Sequence, residues 1–173
     1  MKYFDALKEA MYWLGHQPNT IFLGQSVACP GTAMFKTLDM PELFRRELPV
    51  IENTQLGMSI GLALEGFVPI TVFPRLNFLL SATDQLVNHL DKLTLLGHNK
   101  KVIVRSSIGS EIPLWPGHQH CGDFTDGLKL LCPNIEVVRL DTADMILPAY
   151  KLAYERLDNK SSLLIEWADK LND

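Results

Sequence analysis

No apolar run in this sequence approaches the ~20 residues that a membrane-spanning helix requires. The opening stretch, MKYFDALKEAMYWLGHQPNT, carries Asp5 and Glu9 inside its apolar pattern, unlike the uncharged core of a secretory signal. The expectation is a soluble cytoplasmic protein without membrane contact. Positive charge is scarce and scattered: 16 Lys and Arg stand against 20 Asp and Glu, a formal net charge of −4, and basic pairs occur at Arg45-Arg46 and Lys100-Lys101. That pattern offers no footprint for nucleic acid. Cysteine is rare too: Cys29, Cys121 and Cys132 form an odd set without Cys-x-x-Cys spacing, which argues against a disulfide framework and leaves buried or incidental thiols. There is no Walker loop, no Gly-x-Gly-x-x-Gly after a strand and no Gly-x-Ser-x-Gly elbow. No repeat, low-complexity tract or composition shift marks a second domain.

What is present suits one packed domain over residues 1–173, since 47% of the residues are apolar and 21% charged. Helical apolar stripes alternate with short β-branched runs, a rhythm that predicts an α/β fold, a mainly parallel sheet flanked by helices in three layers. Strands are expected over 20–24, 49–51, 68–73, 101–105, 135–140 and 162–167. Helices are expected over 3–14, 41–47, 54–65, 78–96, 124–131 and 145–156. The 78–96 helix is begun by Asn77 and stopped by Gly97; the 145–156 helix has Asp144 as its N-cap and Pro148 in its first turn. Residues 25–38 and 106–121 read as loops, the second long enough to be functional or disordered.

Two features carry chemistry. Glu52 stands where a strand hands over to a helix, followed by Gly57, Ser59, Gly61, Ala63 and Gly66. Small residues four apart allow another helix to come close, but a helix packed on its own sheet explains them equally, and a first-turn acid is what the helix dipole favours. The second feature is GHQHCG, in which His118 and His120 flank Gln119. On an extended backbone both imidazoles share a side. No Asp, Glu or Cys at recognisable spacing completes a metal site, so no metal ligand is assigned; a substrate-binding or proton-moving histidine and a solvated loop pair remain open. Phe73, Phe78 and Met58 are explained by core packing.

Taken together, ENTQLGMSIGLALEGFVPITVFPRLNFLLSATDQLVNHLDKL resembles the pyrimidine-binding domain of thiamine diphosphate enzymes, of the transketolase and 2-oxo acid dehydrogenase beta-subunit type. That pattern has an acid, glycines five, nine and fourteen positions on, a proline at seventeen and a later Asp-Gln-(Ile/Leu)-Val-Asn-His helix. Here these are Glu52, Gly57, Gly61, Gly66, Pro69 and Asp84-Gln85-Leu86-Val87-Asn88-His89. IFLGQSV resembles the family's first strand, KVIVRSSIG its fourth, and GHQHCGDFTDGLKLLCPNIEVVRL its histidine loop, helix and following strand. PNIEVVRLDTAD is closer to transketolases and deoxyxylulose phosphate synthases than to dehydrogenases.

The resemblance implies roles. Glu52 matches the carboxylate that hydrogen-bonds N1′ of the cofactor's aminopyrimidine and favours its imino tautomer. Phe78 matches the aromatic that stacks on that ring, and Gln25 stands in the cofactor-binding position where the beta subunits usually have Glu. His120 matches the active-site histidine, with His118 as runner-up. Pro74-Arg75 stand where two apolar residues are usual, so that Arg75 is either a positive charge near the site or a solvated arginine. The family's Gly-Asp-Gly motif and downstream Asn pair, which hold the diphosphate and Mg²⁺, do not occur in the sequence, nor does its C-terminal domain. The resemblance therefore implies a diphosphate-binding, alpha-type subunit on a separate chain, a two-plus-two heterotetramer, and subunit pairing helped by the Gly57/Gly61 face. The implied activity is ketol or acyl transfer from a 2-oxo acid or ketose by a split transketolase-like enzyme, small molecules being the substrates. The alternative is a beta-type subunit of a 2-oxo acid dehydrogenase or decarboxylase, and a non-enzyme reading is a subunit kept for assembly.

Overall fold

Thr20–Gly24 (β1), Val68–Phe73 (β3), Ile103–Ile108 (β4) and Ser162–Trp167 (β6) each form a strand buried almost throughout, and β-branched and aromatic residues make up most of β1 and β3. With Arg45–Glu47 (β2) and Glu136–Arg139 (β5) they make one six-stranded sheet in the order β2-β1-β3-β4-β6-β5. Every pairing is parallel. The protein is seen as a computed structural model that describes residues 1–30, 32–38, 44–109 and 115–172.

Alternate strand residues feed two cores, as a period of two demands. Phe22, Ile70, Val72, Ile103 and Leu164 face α1 (Tyr3–Gly15) and α6 (Ala143–Glu155). Phe73, Val104, Leu163 and Ile165 face α3 (Glu52–Leu64), the helical stretch after β3, and α5 (Thr125–Leu131). The result is the three-layer α/β fold that the sequence implies. α1 buries Tyr3, Leu7, Ala10, Met11 and Leu14 on one stripe, and the Thr20 hydroxyl, at the start of β1, shares its proton between the carbonyls of Leu14 in the last turn of α1 and Gln17 just beyond it, each at 3.0 Å. Each fully buried Leu or Met in these stripes stabilises by about 1.5–3 kcal/mol.

Several expected boundaries move. β1, β3 and β6 have the expected ends. The helix expected over 41–47 is contradicted where it can be described: Arg45–Glu47 is the edge strand β2, and 41–43 lie outside the described residues. Nor is 49–51 a strand. An edge strand tolerates a polar Arg-Arg-Glu run because one side meets solvent, so composition misleads there. Within the expected loop 25–38 a short helix, α2 (Ala33–Lys36), is capped by the Thr32 hydroxyl, which accepts from the Phe35 amide at 3.1 Å.

β4 runs on to Ile108 because all six of its residues pair with β6, recruiting Ser106 and Ser107 from the expected loop; residues 110–114 of that loop lie outside the described set. The helix expected over 78–96 begins at Leu76 and changes character: α4 (Leu76–Leu79), a 3-10 turn at Leu80–Ala82, a π turn at Gln85–His89 and another 3-10 turn at Leu90–Lys92. Its stripe of Leu79, Ala82, Leu86, Leu90 and Leu93 stays buried. α3 starts at Glu52 rather than at 54. α6 starts at Ala143 with Thr142 as N-cap, so Pro148 falls in the second turn. The carbonyl its missing N–H would have met belongs to exposed Asp144, where water can replace it.

Candidate functional site

Ligand crevices in open parallel sheets form outside the carboxyl ends of adjacent strands whose connections leave in opposite directions. Here those strands are β1, which leads to β2, and β3, which leads to β4 on the other side. Gln25 follows β1, Arg75 and Phe78 follow β3, and the N-terminus of α3 arrives from β2 at the same edge.

The β1 wall is built around Gly24. Its φ is +130°, and a Cβ there would stand 2.3 Å from the Val72 carbonyl oxygen and 2.5 Å from Gln55 Nε2, so only glycine lets β1 and the buried Gln55 approach in this way. Gln25 comes next: its amide donates to the Val72 carbonyl (3.2 Å), and its side-chain Nε2 donates to Glu52 Oε1 at 3.1 Å. Both Gln25 and Glu52 are only 9% exposed. The turn beyond is clamped by Glu47, whose carboxylate accepts from the amides of Ser26 (2.8 Å), Val27 (2.8 Å) and Ala28 (2.7 Å). Behind them Gln55 donates to Thr71 Oγ1 and to the Val72 carbonyl, both at 2.9 Å, while its buried Oε1 has no partner among the described residues.

The β3 wall carries the histidine loop. Residues His118–His120 form a 3-10 turn rather than the extended segment that would put both rings on one side. His120 lies against Phe78, ring centroids 5.1 Å apart and planes at 53°, and its buried Nδ1 has no hydrogen-bond partner among the described residues. His118 is exposed and meets Trp115 edge-on at 5.1 Å. The Gly122 amide donates to Asn77 Oδ1 (3.2 Å), tying the loop to α4. Arg75 Nη1 donates to the Gly109 carbonyl at 2.7 Å; burial lowers the pKa of its guanidinium, against the pull of Cys121 and of the Asp169 carboxylate.

The structure thus joins Gln25 to Glu52 and Phe78 to His120 along one edge of the sheet, and among the described residues no hydrogen bond or ring contact links the two pairs. Gly57 faces Gln85, whose Oε1 would be 3.3 Å from an added Cβ, whereas Gly61 opens to free space. Among the described residues no three His, Cys, Asp or Glu side chains are grouped to hold a metal ion, and no helix is long and apolar enough to cross a membrane. The cysteines are unpaired, and burial pushes the Cys132 thiol up to about 11. Sequence reasoning missed Glu47, hidden in a misread helix, and Gln55, whose signal was legible: a polar residue on the same helical stripe as Leu56, Ser59 and Ile60.

The structure overlays on a split-gene transketolase, solved as an inactive beta4 tetramer, with a TM-score of 0.76 at 16% identity, covering 98% of this chain and 52% of that one. It also overlays on a Mycobacterium smegmatis enzyme described as thiamin diphosphate-dependent, with a TM-score of 0.66 at 18% identity, covering 96% of this chain and 30% of that one. No family model matches the chain. In sequence it is similar to beta subunits of 2-oxo acid dehydrogenases: it is 27% identical over 145 residues to the 3-methyl-2-oxobutanoate dehydrogenase beta subunit of Mycobacterium tuberculosis, covering 75% of this chain and 41% of that subunit. The chain spans less than half the length of that relative. The resemblance to a pyrimidine-binding-type domain of the thiamine diphosphate enzymes is borne out, as is the fold expected with it.

Proposed function

We propose that the crevice between the ends of β1 and β3 takes the aminopyrimidine end of thiamine diphosphate, with Glu52 and His120 as catalytic residues and Glu52, Gln25 and Phe78 as cofactor contacts. The observation that carries this is the state of Glu52. It is nearly buried at the first turn of α3, where the helix dipole favours a carboxylate, and its Oε1 accepts from Gln25. Oε2 has no hydrogen bond among the described residues. A free carboxylate oxygen, a half-buried phenyl ring and the unpartnered Nδ1 of His120 suit a group that presents ring nitrogens and an aromatic face.

Thiamine diphosphate, when bound, supplies the carbanion chemistry of such enzymes. The chain's own residues then have separable tasks. Glu52 holds or shares a proton at Oε2, and Gln25 fixes its other oxygen. Phe78 offers a ring face and excludes water, and His120 Nδ1 offers a proton or a lone pair to substrate.

Residues 1–173 are read as the pyrimidine-binding half of the site, the diphosphate and Mg²⁺ being held by an alpha-type subunit on another chain. A two-plus-two heterotetramer makes two such sites, and exposed Gly61 and Met58 on α3 are available for pairing subunits. Unpaired cysteines suit a cytoplasmic setting. The first reading is ketol or acyl transfer from a 2-oxo acid or ketose, supported by the likeness to a split transketolase. The sequence similarity to dehydrogenase beta subunits favours the second reading, oxidative or simple decarboxylation of a 2-oxo acid, to the same degree.

The test is reconstitution with the alpha-type partner. Glu52→Gln is expected to lower turnover by about 10²–10⁴-fold; full turnover would refute the role of Glu52. Offering sugar aldehydes or an external oxidant to the complex separates the two activities by their products. Tight binding of cofactor and Mg²⁺ by the isolated chain would sink the divided site.

A further inference from the structure

Arg75 lies two residues beyond β3, at the threshold of α4. Three consecutive loop residues cover that turn: His120 packs on Phe78, Gly122 donates to Asn77, and Cys121 is near enough to Arg75 to act on its charge. The guanidinium is half-buried, and its Nη1 donates to the carbonyl of Gly109, the residue after β4. That bond pins the head group between the ends of two neighbouring strands.

Among the described residues no carboxylate comes within ion-pair distance of Arg75. Asp169, whose carboxylate lies against Gly109, acts on it only from farther away. Taking a cation partly out of water is costly unless a partner compensates it. An arginine presents five donors in a planar fork matched to two oxygens, and among the described residues only one hydrogen bond from this fork is made, to Gly109. A half-buried guanidinium pinned by one hydrogen bond, with no carboxylate at ion-pair distance among the described residues, and the His120 Nδ1 in the loop that covers the same turn, together suit an anion.

We propose that Arg75 anchors an oxyanion of the substrate, a carboxylate or a phosphate, beside His120. This rests on the reading of the crevice as the cofactor site and extends it to the substrate: the reacting molecule is an anion held at its charged end.

The test uses the full chain, ¹⁵N-labelled, without cofactor or partner. Sodium pyruvate and sodium phosphate are titrated separately against sodium chloride of matched ionic strength. One of the two oxyanions is expected to produce saturable shifts at the Arg75 Nε–H and at the backbone amides of Gly109 and Cys121. Pyruvate alone doing so identifies a carboxylate, and phosphate alone a phosphorylated substrate. Binding is expected to weaken by about tenfold or more in Arg75→Gln and to be partly kept in Arg75→Lys, which retains the charge but loses the fork. The proposal is overturned if neither anion gives saturable shifts in the wild type, or if Arg75→Gln shows the same shifts in an otherwise native spectrum. In the reconstituted enzyme Arg75→Gln is expected to raise KM about tenfold or more with kcat nearly unchanged, the signature of lost binding shared by ground and transition states. Glu52→Gln acts on kcat instead, so failure of the anion site and failure of the cofactor site are told apart.

Discussion

Replacing Glu166 by Gln tests how the sheet tolerates charge at its centre. Arg105 on β4 and Glu166 on β6 have fully buried side chains joined by two bonds, Nε to Oε1 at 2.6 Å and Nη2 to Oε2 at 2.9 Å. The Tyr150 hydroxyl of α6 donates to Oε1 at 2.6 Å, and Arg105 Nη2 also donates to Thr37 Oγ1 at 2.9 Å. One cation therefore ties β4, β6 and the end of α2 together. Burial alone would lower the Arg105 pKa, but Glu166 outweighs it and holds the guanidinium above its ordinary range. Burial and the Glu166 charge raise Tyr150 well above its usual value, keeping it a neutral donor.

Glu166→Gln preserves shape but removes the charge and turns an amide NH₂ against the guanidinium. Breaking a buried pair by removing one partner costs about 3–5 kcal/mol, a large share of the ~5–15 kcal/mol that holds a domain folded. For a chain of this size each kcal/mol lowers Tm by about 2–4 °C, so a fall of about 6–20 °C is expected. Thermal melts followed by circular dichroism measure the fall in Tm and urea denaturation the loss of free energy, and the double variant Arg105→Met, Glu166→Met supplies the control. Because apolar replacement of both partners is often neutral, the double variant should recover most of the loss. A single variant within about 1 kcal/mol of wild type, or a double variant no better than the single, would refute the reasoning.

Gly24→Ala drives a methyl group into the Val72 carbonyl and Gln55 at a backbone conformation that alanine rarely adopts; a loss of about 1–3 kcal/mol in urea unfolding is expected, and an unchanged midpoint would show that β1 can shift. Asp91 gives a pH dependence with a definite sign. Burial pushes its carboxyl up, but hydrogen bonds from Lys92 and Asn134 outweigh that and hold it below the ordinary carboxylate value. Its contribution to stability is thus present above the unfolded pKa and lost as pH falls through the lower folded value. Thermal melts from neutral pH to about pH 3 should show a shallower acid decline in Asp91→Asn than in wild type; equal slopes would place the acid sensitivity elsewhere.

Much of the fold was legible because its signals are local. The apolar, β-branched runs at 20–24, 68–73 and 162–167 end where the strands end, since a buried parallel strand needs continuous apolar residues. β2 was not legible: Arg45, Arg46 and Glu47 form a strand because β1 offers an open edge, a reason no local pattern carries. Pro148 misplaced the start of α6 for a related cause, because the cost of a proline depends on whether the carbonyl it leaves faces water.

For the candidate site, the sequence by itself determined the carboxylate at the head of a glycine-bearing helix, the aromatic Phe78 nine residues after Pro69, and a loop with two histidines. Only the tertiary structure decided that Gln25 meets Glu52, that His120 faces Phe78 while His118 stays outside, and that Arg75 is a half-buried cation rather than a solvated one. The physical reason is range. Periodicity and capping act over a few residues, whereas the facing of a loop side chain and the burial of a charge are set by strands and helices brought together from distant parts of the chain.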